Sequence, residues 1–238
     1  MSFAAKLTAG ALLCAAALSV QAARAQDTIS DSAWTPNVNI AFTSQWVDRG
    51  LTQTNGHATP QGGLRLDHDS GFYVDAWATG VDFGDGTDAE IDLGFGYAKA
   101  LENGFSYDIS FFYYLFPGAP KGSKAEFWEV IPSVGYDFGP AAWTAAAFLT
   151  TRNGGDTGDS VYLTTGLSVP VTEHLSFDAN VGRSELDPRG GDDYWDWNVG
   201  ATYATEWFDV DARYHDAGNI ACGGKCKGRF AITISREF

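Results

Sequence analysis

From Asn37 onward, apolar and polar residues alternate along the chain in stretches of about ten residues, each of which ends at a turn. The stretch from Leu175 to Gly182, for example, reads Leu-Ser-Phe-Asp-Ala-Asn-Val-Gly. Such alternation is typical of a β-strand with one apolar and one polar face, because successive side chains of a strand point to opposite sides. Its regular repetition between turns predicts a β-sandwich or a β-barrel.

Twelve such segments follow one another, and the connections between them alternate in length. The segments are Asn37–Asp48, Pro60–Asp67, Phe72–Val81, Glu90–Lys99, Phe105–Phe116, Glu126–Phe138, Ala141–Thr151, Ser160–Val169, Leu175–Ser184, Tyr194–Ala204, Phe208–Asp216 and Gly228–Phe238. Odd-numbered connections are long and polar, such as Arg49–Thr59, whereas even-numbered ones are as short as Gly139-Pro140. This pattern predicts an all-β fold, a transmembrane antiparallel up-and-down β-barrel of about twelve strands.

The last segment suggests how such a barrel closes. Its apolar face carries Phe230, Ile232, Ile234 and Phe238, and the chain stops on this last aromatic residue. The open edge of a final strand must be paired, and pairing it with the first strand closes the barrel. We expect the barrel-assembly machinery of the outer membrane to be a partner, through this strand ending at Phe238.

Alternation alone does not say which face points outward, because a soluble lipocalin-like barrel and a membrane barrel have opposite orientations. The aromatic residues of the apolar face collect at the strand ends, with aliphatic and small residues between them. Near the long loops they are Trp46, Trp128, Trp195, Trp197 and Tyr214, and near the short turns Phe72, Tyr97, Phe105, Tyr136, Trp143, Tyr203, Phe208 and Phe238. Two aromatic belts around an aliphatic band favour an apolar face turned to outer-membrane lipid.

The amino terminus has the features of an export signal. Residues 1–25 contain Lys6, an Ala- and Leu-rich run, and Ala23-Arg24-Ala25 before Gln26, which together predict a cleaved signal peptide. A short periplasmic segment of residues 26–36 and a barrel of residues 37–238 would remain. No later run reaches about 18 apolar residues, so no spanning helix is expected. The expected location is the bacterial outer membrane, reached through the periplasm.

The charge of the chain excludes one class of partner. The chain carries 15 basic and 30 acidic residues, and loss of Lys6 and Arg24 with the signal peptide would leave 13 basic residues and a net charge of −17. Nucleic acid is therefore not an expected partner, because binding phosphates needs the opposite balance. Cys222 and Cys226 flank a glycine-rich loop and predict a small disulfide in an oxidising compartment, with a metal site as the minor alternative. No metal and no cofactor is expected.

The polar faces of the segments predict the residues that line the interior. The expected pore-lining residues are Arg49, Arg65, Asp75, Glu90, Asp92, Asp108, Glu129 and Arg213. In one hypothesis they form a constriction that filters small hydrophilic solutes by size and charge, with a cation bias from the acidic excess. In the other they pair across the lumen and fill it, as in a structural or adhesive barrel. Phe112 and Tyr114 also fall on the polar face and would narrow the passage or stack on a ring-shaped solute.

A barrel hydrolase is a third hypothesis. His215 is near the end of the eleventh segment, and Asp209, Asp211 or Asp216 could complete a dyad with it. An ion pair among these charges explains the same residues equally well. The sequence therefore predicts a protein that is not an enzyme and has no catalytic residues.

Several phrases of the sequence resemble a known family. They are Asp48-Arg49-Gly50-Leu51-Thr52-Gln53, Gly71-Phe72-Tyr73 with Trp77 four residues on, and Tyr113-Tyr114-Leu115-Phe116-Pro117-Gly118. In this order, over essentially the whole mature chain, they resemble the TorF family of porins, which are proteobacterial outer-membrane proteins. The resemblance implies a barrel with channel activity, and it brings neither catalytic residues nor an established substrate. The Cys222–Cys226 loop and the long Glu185–Asp193 connection are not features associated with that family.

Overall fold

The computed structural model describes residues 33–218 and 224–238. Its strands are β1 (Trp34–Thr43), β2 (Val47–Asp48), β3 (Leu51–Thr52), β4 (Thr59–His68), β5 (Phe72–Gly80), β6 (Ala89–Ala100), β7 (Phe105–Leu115), β8 (Phe127–Asp137), β9 (Ala142–Thr150), β10 (Ser160–Pro170), β11 (Leu175–Leu186), β12 (Tyr194–Ala204), β13 (Asp209–Ala217) and β14 (Arg229–Glu237). The signal peptide, residues 26–32 and Cys222 lie outside the described residues. A 3₁₀ turn at Gly154–Asp156 accompanies the strands.

Twelve of these strands, β1 and β4 to β14, form one closed antiparallel barrel, which confirms the predicted fold class. The seam joins β1 to β14, with Ile40 opposite Arg236 and Phe42 opposite Ile234. The N–H of Phe238 donates to the carbonyl of Val38 at 2.9 Å, so the final residue is itself part of the seam. Each barrel strand is therefore paired along both edges, which satisfies the backbone groups that lipid cannot hydrate.

The outward face of the barrel is apolar and exposed. Along β14, Phe230, Ile232 and Ile234 point outward and are exposed, whereas Ala231 points inward and is buried. Other exposed outward residues include Val38, Leu64, Phe72, Val74, Leu93, Phe95, Phe105, Ile109, Leu163, Phe177, Trp195, Val199 and Tyr203. An exposed apolar band of this extent is stable against hydrocarbon rather than water.

The connections at the two barrel ends differ in length, as the sequence predicts. We name the long loops L1 (44–58), L2 (81–88), L3 (116–126), L4 (151–159), L5 (187–193) and L6 (of which 218 and 224–228 are described). The opposite end has the five short turns 69–71, 101–104, 138–141, 171–174 and 205–208. Among the residues described, no helix combines the length and hydropathy that a membrane crossing requires.

The largest departure from expectation is in L1. The first strand was predicted to reach Asp48, but β1 ends at Thr43, and the chain then turns into the barrel and forms the β2–β3 hairpin. Trp46, predicted in the lipid-facing belt, is only 4% exposed and packs against Trp77 with ring centroids 5.5 Å apart. That prediction was wrong because the N–H of Trp46 donates to Oγ1 of Thr54 at 3.1 Å, which turns L1 back on itself.

This orientation predicts which tryptophans contact lipid. In variants that keep a single tryptophan, with the others replaced by Phe, Trp195 should be quenched by brominated lipid because it is 56% exposed on the outward face. Trp46 should be protected, since it lies within the barrel. Fluorescence in vesicles of bromolipid measures both, and stronger quenching of Trp46 than of Trp195 would contradict the orientation.

Candidate functional site

The β2–β3 hairpin of L1 crosses the lumen to the opposite wall. Nη2 of Arg49, at the hairpin tip, donates to both carboxylate oxygens of Glu129 on β8 at 2.8 Å. The Glu129 side chain is 1% exposed, and its Oε2 also accepts a hydrogen bond of 2.9 Å from the hydroxyl of Tyr114. A buried ion pair offsets its desolvation best when its carboxylate accepts additional hydrogen bonds, as Glu129 does from Tyr114.

Two aromatic rings also contact the guanidinium group of Arg49. Its guanidinium carbon lies 4.9 Å from the ring centroid of Phe148 on β9 and 4.7 Å from that of Tyr162 on β10. Guanidinium groups are attracted to the faces of aromatic rings, more strongly where water is excluded. L1 is thus held to three consecutive strands that lie across the barrel from β1.

The tip of the hairpin has a backbone conformation with positive φ angles, which glycine adopts readily. Arg49 and Gly50 both have positive φ angles, of 46° and 76°. A Cβ placed on Gly50 would lie 2.8 Å from the Cβ atoms of Ala217 and Asp196, so the turn packs closely against β12 and β13. The conformation and the packing together require glycine at this position.

Other long loops hold L1 in place from the mouth of the barrel. The N–H of Thr52 donates to the carbonyl of Lys225 in L6 at 3.1 Å, and the N–H of Asp82 in L2 donates to the carbonyl of Gln53 at 2.7 Å. Nη2 of Arg229 donates to the carbonyl of Gly224 at 2.7 Å and so fixes L6 to β14. L1 is therefore anchored at both its tip and its base.

Asp48 gives the hairpin a titratable group that lies in a loop and not in a spanning strand. Its carboxylate is 3.7 Å from Nε of Arg49, and its side chain is 31% exposed. Burial raises the pKa of Asp48 to about 6, and the Arg49 guanidinium opposes this rise. In L5, by contrast, hydrogen bonds from Arg189 lower the pKa of Asp187 to about 2.

A second charged cluster surrounds Arg213 on β13, which is 3% exposed. Its Nη2 lies 2.9 Å from Oδ2 of Asp211 and 3.3 Å from Oδ2 of Asp178 on β11, and its Nη1 donates to Asn198 at 2.8 Å. Two carboxylates for one guanidinium leave this wall of the lumen with negative charge.

A third cluster lies toward the short-turn end on β4, β5 and β7. The guanidinium of Arg65 lies 3.5 Å above the ring centroid of Tyr73, and its Nε donates to Asp67 at 2.8 Å. The hydroxyl of Tyr73 donates to Asp108 at 2.8 Å, and Asp75 is the cross-strand partner of Arg65. Here too acidic groups outnumber the arginine.

Aromatic side chains on the inner wall lie over glycines of neighbouring strands. A Cβ on Gly94 of β6 would lie 2.6 Å from Cδ1 of Phe112, and one on Gly96 would lie 2.8 Å from Cε1 of Tyr73. The missing side chains let these rings lie against the wall instead of projecting across the lumen.

The structure places the eight residues predicted to line the pore inside the barrel, in different settings. Arg49 reaches the lumen from L1, whereas the other seven lie on inward faces of strands: Arg65, Asp75, Glu90, Asp92, Asp108, Glu129 and Arg213. The three arginines lie in three separate clusters. Sequence reasoning missed Tyr73, Trp77, Phe148 and Tyr162, although the alternation of their strands assigns each of them to the inner face.

The remaining predicted chemistry falls outside these clusters. His215 is buried on the inner face of β13, opposite Arg229 on β14, and makes no ion pair with Asp209, Asp211 or Asp216. Over the described ranges, no group of three His, Cys, Asp or Glu side chains is arranged to hold a metal ion. Cys226 is disulfide-bonded, and because Cys222 lies outside the described residues, their pairing stays a prediction.

Comparisons with known proteins give a family and a fold. A family model described as "Bacterial protein of unknown function (Gcw_chp)" matches residues 27–233. No curated protein matches the chain. The chain is similar in structure to the KdgM porin, solved alone and in complex with disordered oligogalacturonate, at a TM-score of 0.61 and 8% identity over 85% of this chain and 99% of that one.

The NanC porin is also similar, at a TM-score of 0.51 and 8% identity over 84% of this chain and 98% of that one. Identities this low show a common barrel fold and nothing of shared function.

The Arg49–Glu129 pair predicts an asymmetric response to mutation. Arg49→Met should lower the free energy of unfolding by about 3 kcal/mol, because Glu129 would remain buried without a counter-charge. Adding Glu129→Gln to Arg49→Met should recover most of that loss, since the stranded charge is then gone. Urea unfolding in detergent micelles measures both changes.

Arg152→Met is the matched control, because Arg152 is an exposed arginine in L4 that pairs with a carboxylate at 3.8 Å. It should have little effect. Equal losses from Arg49→Met and Arg152→Met would show that the pair does not hold L1.

Proposed function

We propose that this chain, which belongs to the Gcw_chp family of bacterial proteins of unknown function, forms an outer-membrane channel for small hydrophilic solutes. The observation that carries the proposal is a closed barrel with an exposed apolar exterior and a charged interior. Charges inside a barrel are stable when hydrated or paired, and a hydrated interior is a path for solutes. The resemblance to TorF porins supports the same function.

We further propose that the channel prefers cations. Carboxylates on the inner wall and L1 outnumber the arginines Arg49, Arg65, Arg213 and Arg229. They are Asp48, Asp67, Asp75, Glu90, Asp92, Asp108, Glu129, Asp178, Asp196, Asp209 and Asp211. A lumen with this excess raises the local concentration of cations and repels anions.

The acidic interior also indicates that this channel takes a different solute from the one bound in the KdgM structure. That porin was solved with oligogalacturonate, which is a polyanion. The excess of carboxylates over guanidiniums argues against such a solute here. The shared fold therefore does not extend to a shared substrate in this proposal.

In this proposal the path is narrowest where L1 crosses the lumen. Arg49, Glu129, Phe148 and Tyr162 meet there, and Ala217 and Asp196 contact the turn at Gly50. The same observation favours a second candidate, a structural barrel whose lumen is plugged. The two functions differ in whether ions pass beside the hairpin.

Two partners complete the proposal. Outer-membrane lipid covers the apolar exterior, and the barrel-assembly machinery inserts the chain by its last strand, which ends at Phe238.

Recordings from planar bilayers test the channel. Purified protein should give discrete conductance steps, with a reversal potential in a KCl gradient that reports a preference for K⁺ over Cl⁻. Arg49→Ala should increase the step size, because it removes the side chain that spans the constriction. Arg152→Ala in L4 is the control and should leave the step size unchanged.

Silent wild-type protein together with a conducting Arg49→Ala variant would favour the plugged barrel. Silence of both variants, when each is shown to be folded by circular dichroism, would exclude the channel.

Titration of Asp48 should make the preference for K⁺ over Cl⁻ depend on pH. Because burial raises its pKa to about 6, the group is charged well above that pH and neutral well below it. Asp48→Asn should therefore reduce the preference for K⁺ at high pH and have no effect at low pH. Comparing the two proteins at each pH isolates Asp48 from the other carboxylates of the lumen. A difference between wild type and variant that persists well below pH 6 would contradict this assignment.

A further inference from the structure

We infer that the channel contains a binding path for neutral saccharides along the inner wall formed by β7 and β8, an inference that rests on the proposed function and names its solute class. The path begins with an aromatic row, which we define as Phe83, Phe116, Phe127, Tyr114 and Phe112. It continues toward the short-turn end with hydroxyl and carboxylate groups.

The rings of the aromatic row follow one another from the mouth into the barrel. The centroids of Phe83 in L2 and Phe116 in L3 are 5.9 Å apart, and Phe116 stacks on Phe127 at 6.1 Å with an angle of 13° between their planes. Phe127 stacks on Tyr114 at 4.5 Å, and Tyr114 is followed by Phe112 at 6.4 Å. Four of the five rings are only partly buried, and Tyr114 alone is fully so.

Phe112 lies flat against the wall. Gly94 is its cross-strand partner on β6, and a Cβ built there would lie 2.6 Å from Cδ1 and 2.7 Å from Cζ of the ring. The ring also packs against the buried cluster of Ile131, Phe148 and Tyr162, and it stays partly exposed. The exposed part of such a ring can stack on a flat solute.

Below Phe112 the same two strands supply polar atoms in need of partners. Asp108 faces Ser133 across the β7–β8 pair, and Ser106 is the next inward residue of β7. All three side chains are more than nine-tenths buried, and within the described chain Oγ of Ser106, Oγ of Ser133 and Oδ1 of Asp108 have no hydrogen-bond partner. Buried polar atoms are rarely left unsatisfied, so these groups are suited to exchange hydrogen bonds with water or a solute hydroxyl.

These features together select a solute class. The C–H face of a pyranose is apolar and carries slight positive charge, which suits the negative face of an aromatic ring. Its hydroxyl groups donate to carboxylates and exchange hydrogen bonds with serines. An acidic saccharide is disfavoured, because Arg49 is already paired with Glu129 and the wall below carries Asp108.

Block of the K⁺ current by maltotriose tests the path. The wild-type current should fall to a plateau as maltotriose is added, and trigalacturonate should block far more weakly. Phe112→Ala and Phe127→Ala should each raise the half-blocking concentration about tenfold, which corresponds to the loss of one stacked ring. Phe127→Leu keeps most of the volume without the ring and should behave like Phe127→Ala.

Phe111→Ala is the matched control. Phe111 is on the same strand as Phe112 but on the outward face, where its ring lies 5.5 Å from Phe95 and 6.0 Å from Trp128. The half-blocking concentration should be unchanged in this variant. Circular dichroism identifies any variant that fails to fold, and Phe127→Leu then replaces Phe127→Ala.

Calorimetry with maltotriose in detergent micelles separates this inference from the channel itself, because it needs no conduction. Binding heat that Phe127→Leu weakens, in a barrel that stays silent, would support the saccharide path and exclude the channel. A conducting barrel that shows neither block nor heat would overturn the saccharide path and leave the channel standing. Equal affinity for maltotriose and trigalacturonate would overturn the assignment to neutral saccharides.

Discussion

The structure depends on the rule that no backbone hydrogen-bonding group can be left open toward lipid. An unsatisfied N–H or C=O in hydrocarbon costs several kcal/mol, so a sheet in a membrane must close on itself. Here closure joins β1 to β14, with the terminal residue Phe238 hydrogen-bonded to Val38. Once the sheet is closed, each residue has only two possible surroundings, hydrocarbon outside or the lumen inside. The alternation along the chain then assigns every side chain to one of them.

Closure makes the interior a confined space in which charge has to be compensated locally. Arg49, Arg65 and Arg213 each meet at least one carboxylate, and each also contacts a ring or an amide. Each arginine is therefore held in place by its contacts and compensates the charge of the carboxylates around it. Among the inward-facing side chains carboxyl groups outnumber guanidiniums, and that surplus follows from the composition of the chain.

The strands of the barrel wall can be predicted from the sequence, but the inward fold of L1 cannot. Alternation in strands such as Phe105–Leu115 is a local signal, since each residue's face depends only on its parity, and it predicts the strands, the loop asymmetry and the inward position of Glu129. The inward fold of L1 depends on contacts with β8, β9, β10 and L6, which lie far away in the chain. Because local alternation does not reveal these long-range contacts, it places Trp46 on the lipid-facing side of the first strand. The turn residues Arg49-Gly50 were the only local sign of a hairpin.

The glycines beneath the inner-wall rings have a consequence for how such a barrel diverges. Phe112 lies over Gly94, and Tyr73 lies over Gly96, so each ring's tilt is set by a residue on the adjacent strand. A methyl group gained at either glycine would tip the ring above it toward the barrel axis, while the aromatic residue itself stays the same. Substitutions at these two glycines can therefore change the width of the lumen, although the glycines themselves lie behind the rings. Relatives with the same aromatic residues could for this reason differ in the size of what they admit.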